Sequence, residues 1–284
     1  MVELDNIFSK VEGLLGAEIE RYEPLKGGMI GEVLKIELED ERVMILKMGD
    51  TPLDIEADML RYLKDRSELP VPEVYHYSEN FILMEYVEGH NLNEESVERE
   101  AAEYLSDLHS IKGDGFGFDF DTLTGPVIQP NEYMDSWIEF FRRNRLQYMN
   151  EKCLRSGSVS RTIYERIDEL SEDLSEILIE PERPYLIHGD VWKTNLIVKD
   201  GRIQAFLDPA IYFAHPEIEL AYISFAGTFS NEFYEFYDEL SGINKGFFEK
   251  RCAVYNLYPL LVHAYLFGED YPEMIDKKLK EIGF

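Results

Sequence analysis

Residues 33–38 alternate apolar and polar side chains, and residues 42–48 are almost wholly apolar around a single lysine. Both stretches have strand length, and the acidic turn Glu39-Asp40-Glu41 between them predicts an antiparallel pair. Residues 54–64 carry apolar positions at helical spacing, and residues 81–86 read as a further strand. Glu88-Gly89-His90-Asn91 then breaks the pattern and reads as a hinge. From about residue 93 onward the chain is mainly helical. Val97, Ala101, Leu105 and Leu108 recur at that spacing, as do Ile163, Ile167, Leu170, Leu174 and Ile177. One hairpin interrupts the helical half. Leu196-Ile197-Val198 and residues 203–207 are short apolar strands, and the Asp200-Gly201 pair between them is the strong two-residue turn signal. No internal repeat or low-complexity segment is visible. The expected class is α+β.

The chain of 284 residues is long enough for two compact lobes, and 45% hydrophobic residues make it globular. No run of 18 apolar residues predicts a membrane span. The first residues lack a basic stretch followed by an apolar one, so the expected location is cytoplasmic. Two cysteines, Cys153 and Cys252, exclude a disulfide framework and have no metal-ligand spacing. The net charge of −29 changes the picture of partners. It argues against nucleic acid, which needs a basic face. It reads first as a general adaptation for solubility or habitat, and it is also compatible with a cationic substrate, whose approach the summed field would favour.

The candidate chemistry sits around the hairpin. His188-Gly189-Asp190 precedes it, Asn195 opens it, and Leu207-Asp208-Pro209 closes it. Counting outward from Asp200-Gly201 sets Asn195 opposite Phe206, so Asp208 emerges at the same end. Two oxygen donors there suit a hard cation such as magnesium. An Asp in a loop, an Asn closing it and an Asp after the next strand are the base and metal ligands of phosphoryl transfer from ATP. Asp190 is the candidate base, and Asn195 and Asp208 are the candidate metal ligands.

Upstream, Lys47 stands alone in an apolar strand, where an unpaired ammonium is expensive. Glu56 is the expected partner, with Asp54 and Asp58 as rivals, and such a pair would aim the lysine at the nucleotide phosphates. Gly27 and Gly28, in Lys26-Gly27-Gly28-Met29-Ile30-Gly31, would let backbone N–H groups approach phosphate closely. The segment matches neither G-x-G-x-x-G nor a P-loop. Backbone groups of Glu85, Tyr86 and Val87 are placed at the adenine edge by analogy with kinases.

These residues resemble the fructosamine/ketosamine kinase family, within the aminoglycoside-phosphotransferase-like, protein-kinase-like superfamily. His188-Gly189-Asp190 is shared by the superfamily. The narrower likeness rests on Leu83-Met84-Glu85-Tyr86, Gln129-Pro130-Asn131 with Trp137 and Phe140-Phe141-Arg142, and the Val191-Trp192 continuation. It extends through Asp208-Pro209-Ala210 with Tyr212, His215 and Glu217, then Phe225-Ala226-Gly227 with Phe233-Tyr234. It ends in Tyr255-Asn256-Leu257-Tyr258 with His263 and Phe267-Gly268. The resemblance implies a two-lobed fold, with a small β-rich nucleotide lobe at 1–88 and a larger, mainly helical catalytic lobe at 89–284. It implies ATP and magnesium, and phosphorylation of the 3-hydroxyl of a ketosamine, free or protein-bound, in a deglycation role. A kinase for another hydroxylated amine, such as an aminoglycoside or choline, is the alternative, and a nucleotide-binding module without turnover is a third reading.

The sequence is silent on oligomeric state. Trp192, His215 and Glu219 are assigned to the acceptor side. Trp192 reads equally as a brace for its loop, and His215 and His263 also read as packed core histidines. Phe229, Phe233, Tyr234, Phe236 and Tyr237 read as a helix core, with Glu232, Glu235 and Asp238 on its solvated face. Three departures from the family pattern stand out: Gly31 replaces an Asn, Lys193-Thr194 replaces a small pair after Trp192, and Glu219 replaces an Asp.

Overall fold

A computed structural model describes residues 2–25, 31–92, 97–268 and 270–284. The chain forms two compact units. The first comprises Met1–Leu92 with Thr194–Pro209, and the second Asn93–Lys193 with Ala210–Phe284. The α+β class is borne out. Among the described residues, no helix is long and apolar enough to cross a membrane.

The first unit is built on an antiparallel sheet of β1 (Ile19–Pro24), β2 (Glu32–Leu38), β3 (Val43–Met48), β4 (Val74–Ser78) and β5 (Phe81–Glu85), in the order β1-β2-β3-β5-β4. The two expected strands at 33–38 and 42–48 are β2 and β3, and Glu41 turns the chain with φ 70°. Strand parity decides what faces where. Leu34, Ile36 and Leu38 of β2, with Met44, Leu46 and Met48 of β3, form a core with Phe81 and Leu83. The helix α1 (Val2–Leu15) closes that core with Ile7, Phe8 and Val11. The alternate residues of β3, Ile45 and Lys47, must then point to the opposite face, where they line a cleft. Helix α2 (Leu53–Arg66) packs its buried Leu53, Ala57, Leu60 and Leu63 beside it.

The hairpin belongs to this unit, although the expected boundary at 88/89 assigns it to the other lobe. The reason is a strand that the sequence presents as a hinge. His90–Asn91 pairs with Leu196–Lys199, with Val198 opposite His90 and Ile197 opposite Asn91. Asn91 Nδ2 also donates to the Thr194 carbonyl at 2.6 Å. Gly89 makes the approach possible, since a Cβ there would lie 2.6 Å from the Val198 oxygen.

The second unit is mainly helical, with two short two-stranded ribbons, Tyr185–Ile187 with Tyr212–Ala214 and Thr122–Thr124 with Val127–Gln129. The expected helical spacings appear as Glu98–Leu108, Arg161–Glu172 and Leu174–Ile177. Phe233, Tyr234 and Tyr237 bury the face of Asn231–Ser241 that carries them, while Glu232, Glu235 and Asp238 are exposed. The Gln129-Pro130-Asn131 segment is structural cement. Arg145, fully buried, donates to the Pro130 carbonyl and to Asn131 Oδ1, each at 2.7 Å, and lies 3.9 Å over the Tyr212 ring. Tyr258 donates to Gln129 Oε1 at 2.8 Å.

Candidate active site

In the first unit, Lys47 Nζ lies 2.8 and 2.7 Å from the two carboxylate oxygens of Glu56, and 2.8 Å from Asp208 Oδ1. Of Asp54, Glu56 and Asp58, the three candidates in sequence, Glu56 is therefore the partner, and Asp208 is a second one. Asp58 instead accepts from the Tyr77 hydroxyl at 2.9 Å. Burial opposes the charge on Lys47, but Asp208 and Glu56 together outweigh it and hold its pKa above the ordinary lysine value. The lysine is a fixed cation. Burial raises the Glu56 carboxyl to about 7, and the neighbouring Asp208 adds to that against the pull of Lys47. With both carboxylates ionised the cluster would carry one negative charge in excess, which a bound cation would balance.

Asp208 owes its position to the hairpin. Asp200 and Gly201 turn the chain with φ 52° and 70°, both positive as a two-residue hairpin turn requires. The register differs from the simple count. Leu196, not Asn195, pairs with Phe206, because Gln204 is extra where the register shifts between the pairs Ile197–Ala205 and Val198–Ile203. Asn195 still lies at the same end, its carbonyl accepting the Leu207 N–H at 2.8 Å. The chain then bends at Asp208, whose φ of 51° is unusual outside glycine and is best tolerated by Asp and Asn. A buried amide side chain and a partly exposed carboxylate at the open end of one hairpin are hard oxygen donors. They fit magnesium, which binds through one or two protein oxygens and completes its shell from phosphates and water.

These residues share one cleft of about 260 Å3. Val33, Ile45, Leu60 and Met84 give it apolar walls, and Lys47, Glu56, Asn195 and Asp208 its polar end. Glu85, Tyr86 and Val87 form part of the lining, with Lys35 Nζ 4.8 Å over the Tyr86 ring. Gly27 and Gly28 lie outside the described residues. Gly31 is described: its φ is 85°, and a Cβ would lie 2.4 Å from the Met48 carbonyl oxygen. An Asn in that conformation would clash with the next strand, which accounts for glycine here.

In the second unit, Asp190 sits on a loop gripped by the helix Glu217–Ala226. Glu219, 1% exposed, accepts the Gly189 N–H at 2.5 Å and the His188 N–H at 3.2 Å, and its Oε2 lies 2.7 Å from His109 Nε2. Burial pushes the Glu219 carboxyl up, but His109 and the Gly189 N–H overcome it and hold the pKa below the ordinary value. As Glu219 is then an acceptor, His109 donates from Nε2, and its Nδ1 lies 2.7 Å from the Tyr237 hydroxyl oxygen. Glu219, expected on the acceptor side, has its oxygens engaged by the two backbone N–H groups of the loop and by His109. Gly189 is required, since a Cβ would sit 2.2 Å from the Ala210 oxygen.

One turn beyond Glu219, Tyr222 donates its hydroxyl to Asp190 Oδ1 at 2.5 Å. Gly189, Glu219 and Tyr222, with Gln129, Tyr258, Pro259 and His263, line a cavity of about 40 Å3 beside the loop. Trp192 is half-buried and lines neither this cavity nor the first unit's cleft. His215 also stays apart from the cavity. It is 5% exposed, packed against Trp137 and Tyr255, and its Nδ1 accepts the Glu217 N–H at 3.1 Å. The sequence reading missed His109, Tyr222 and Tyr237. Only Tyr222 carried a signal, its i+3 spacing from Glu219 on one helix face.

Burial pushes the His215 pKa down to about 4. In the unfolded chain the ring takes a proton near pH 6.5, so the unfolded state binds more protons between those values and stability falls as the pH drops. The expected loss from this residue is about 2 kcal/mol at pH 5 relative to neutral pH. Thermal melts between pH 7 and 4.5 should show a shallower acid decline for His215→Gln than for the parent. Equal slopes would sink the assignment.

The family model for fructosamine kinase matches residues 5–283. A probable ketoamine kinase of Pasteurella multocida is 32% identical over 233 residues, covering 80% of this chain and 79% of its own. A chloroplastic protein-ribulosamine 3-kinase of Oryza sativa subsp. japonica is 32% identical over 234 residues, covering 79% and 67%. The crystal structure of a candidate fructosamine-3-kinase from Haemophilus somnus superposes with a TM-score of 0.85 at 28% identity, covering 98% of this chain and 97% of that one.

Proposed function

The chain belongs to the fructosamine kinase family, and we propose that it transfers the γ-phosphoryl group of ATP to the 3-hydroxyl of a ketosamine, the adduct of a sugar with an amine. The observation that carries this reading is the Lys47–Glu56–Asp208 cluster at the polar end of a cleft that also has the apolar walls Val33, Ile45, Leu60 and Met84. An adenine ring suits the apolar part, with Glu85 to Val87 offering backbone groups to its edge. Lys47, held charged, faces the phosphates, and Glu56 keeps it aimed.

Asn195 and Asp208 would hold magnesium, which when bound neutralises charge on the β- and γ-phosphates. Asp190 takes the proton of the acceptor hydroxyl as that oxygen bonds to the γ-phosphorus. The bond to the β-phosphate oxygen breaks, and ADP leaves with its electron pair. Glu219, by fixing the backbone of His188 and Gly189, keeps Asp190 in place through the step.

The test is ATP consumption with ribulosyl-, fructosyl- and erythrulosyl-amines, alongside aminoglycosides and choline, and phosphorus NMR to locate the product phosphate. Turnover of ketosamines, ribulosamines foremost, with phosphate on the 3-oxygen supports the reading. Turnover of aminoglycosides alone would move the chain to the alternative. The net charge of −29 adds an expectation for amine acceptors. A cation gains from the field, so kcat/KM should fall as salt rises to about 0.15 M, where the screening length is about 8 Å. A salt-independent kcat/KM would assign the charge to solubility alone.

A further inference from the structure

We propose that Tyr222 is a positioning residue for the transfer: its hydroxyl clamps one oxygen of Asp190 and fixes the orientation in which that carboxylate meets the acceptor. The inference rests on the reading of Asp190 as the base. Glu219 and Tyr222 are three residues apart on one face of the helix Glu217–Ala226 and act at different levels. Glu219 holds the backbone of His188 and Gly189, and Tyr222 holds the Asp190 side chain itself at 2.5 Å. A carboxylate on a loop can turn about two side-chain bonds even when its backbone is fixed. The Tyr222 bond restricts that freedom at Oδ1, and preorganisation of this kind acts on kcat.

Tyr222 is suited to the task. Burial first, and then the adjacent Asp190, push its phenol pKa far above the ordinary tyrosine value, so it remains a donor throughout the working range. It keeps its own proton while Asp190 takes the acceptor's. Its ring stands 6.3 Å from that of Phe225, and Phe225 packs edge-on against His263, which braces the phenol from behind. Tyr222 also lines the cavity beside Gly189, next to the groups an incoming hydroxyl would meet.

A hydrogen bond to an ionised carboxylate favours the ionised form. Removing it should therefore make Asp190 hold its proton to higher pH. The other titratable groups that the second unit places around Asp190 are unaltered by that change. Among the described residues they include His188, whose Nδ1 accepts the Asp190 N–H at 3.2 Å, the Glu219 carboxylate on the loop backbone, and the Tyr258 phenol.

The experiment compares Tyr222→Phe, which keeps the ring, with the parent. Expected is a fall in kcat on the order of tenfold, the worth of one hydrogen bond to a charged group. KM for ATP should stay within about twofold, and the acid limb of kcat/KM should move up by about half a pH unit or more. In an Asp190→Asn background the same substitution should add little, because the orientation of the base no longer matters. A purely structural tyrosine would give equal losses in both backgrounds and an unmoved pH profile, and that result would overturn the proposal.

Should the parent phosphorylate aminoglycosides and no ketosamine, the ketosamine reading fails while the Tyr222 comparison is made on that acceptor. Should it phosphorylate neither, carbon NMR titration of the Asp190 carboxyl gives the answer without turnover. A higher pKa in Tyr222→Phe supports the clamp, and an unchanged one refutes it.

Discussion

Replacing Asp208 with asparagine or alanine should lower kcat by about 10³-fold, the scale of several kcal/mol that a metal ion's charge stabilisation supplies. Three effects converge. The hairpin end loses a full negative charge beside Asn195, so magnesium is held by neutral donors. In the alanine variant Lys47 also loses the contact at 2.8 Å and relaxes toward Glu56 alone, whereas an asparagine oxygen can still accept from it. The backbone at 208 needs a φ of 51°, which alanine adopts at a cost and asparagine accepts readily. The asparagine variant therefore isolates charge from backbone strain. Its activity should recover in part at high magnesium, whereas Asn195→Ala should be the milder lesion because no charge is lost. Measured rates across a magnesium titration decide it: a variant with parental rate and parental magnesium dependence would place the metal elsewhere.

Asp190→Asn should lower kcat by about 10²-fold or more, the range of a lost general base. The substitution keeps the size of the side chain, and its amide oxygen can still accept the Tyr222 hydroxyl, so the fold of the loop is preserved. KM for ATP should stay within about twofold, since none of the side chains lining the first unit's cleft is altered. Melting temperature and ATP binding measured on the same preparation separate lost chemistry from lost structure. Full turnover by this variant is the outcome that removes Asp190 from the mechanism.

Much of the arrangement could be read from local pattern. Parity along β3 puts Lys47 opposite the core, and Asp200-Gly201 announces the hairpin that brings Asn195 and Asp208 to one end. What could not be read depends on distant partners. The extra residue Gln204 shifts the pairing by one position, and nothing in its own chemistry distinguishes it from its neighbours. His90–Asn91 becomes a strand only because Leu196–Lys199, more than a hundred residues later, offers it an edge. The sequence puts Glu219 on the acceptor side. Whether its carboxylate faces a ligand or two backbone N–H groups depends on how the 188–190 loop returns past its helix. His109 completes that grip from 110 residues away, beyond any spacing rule.

The discontinuity of the first unit bears on how the protein is made. A nascent chain that has reached Leu92 carries the residues of the five-stranded sheet and of the Lys47–Glu56 pair. It lacks Thr194–Pro209, and with it the strand partner of His90–Asn91 and the second carboxylate on Lys47. Those arrive only after the whole of residues 93–193 has left the ribosome. Closing such a long loop costs conformational entropy before any contact rewards it, which slows folding and lengthens the exposure of incomplete strand edges. The cleft that holds Lys47 and Asp208 thus cannot be complete before residue 208 is made, although most of its lining is synthesised first.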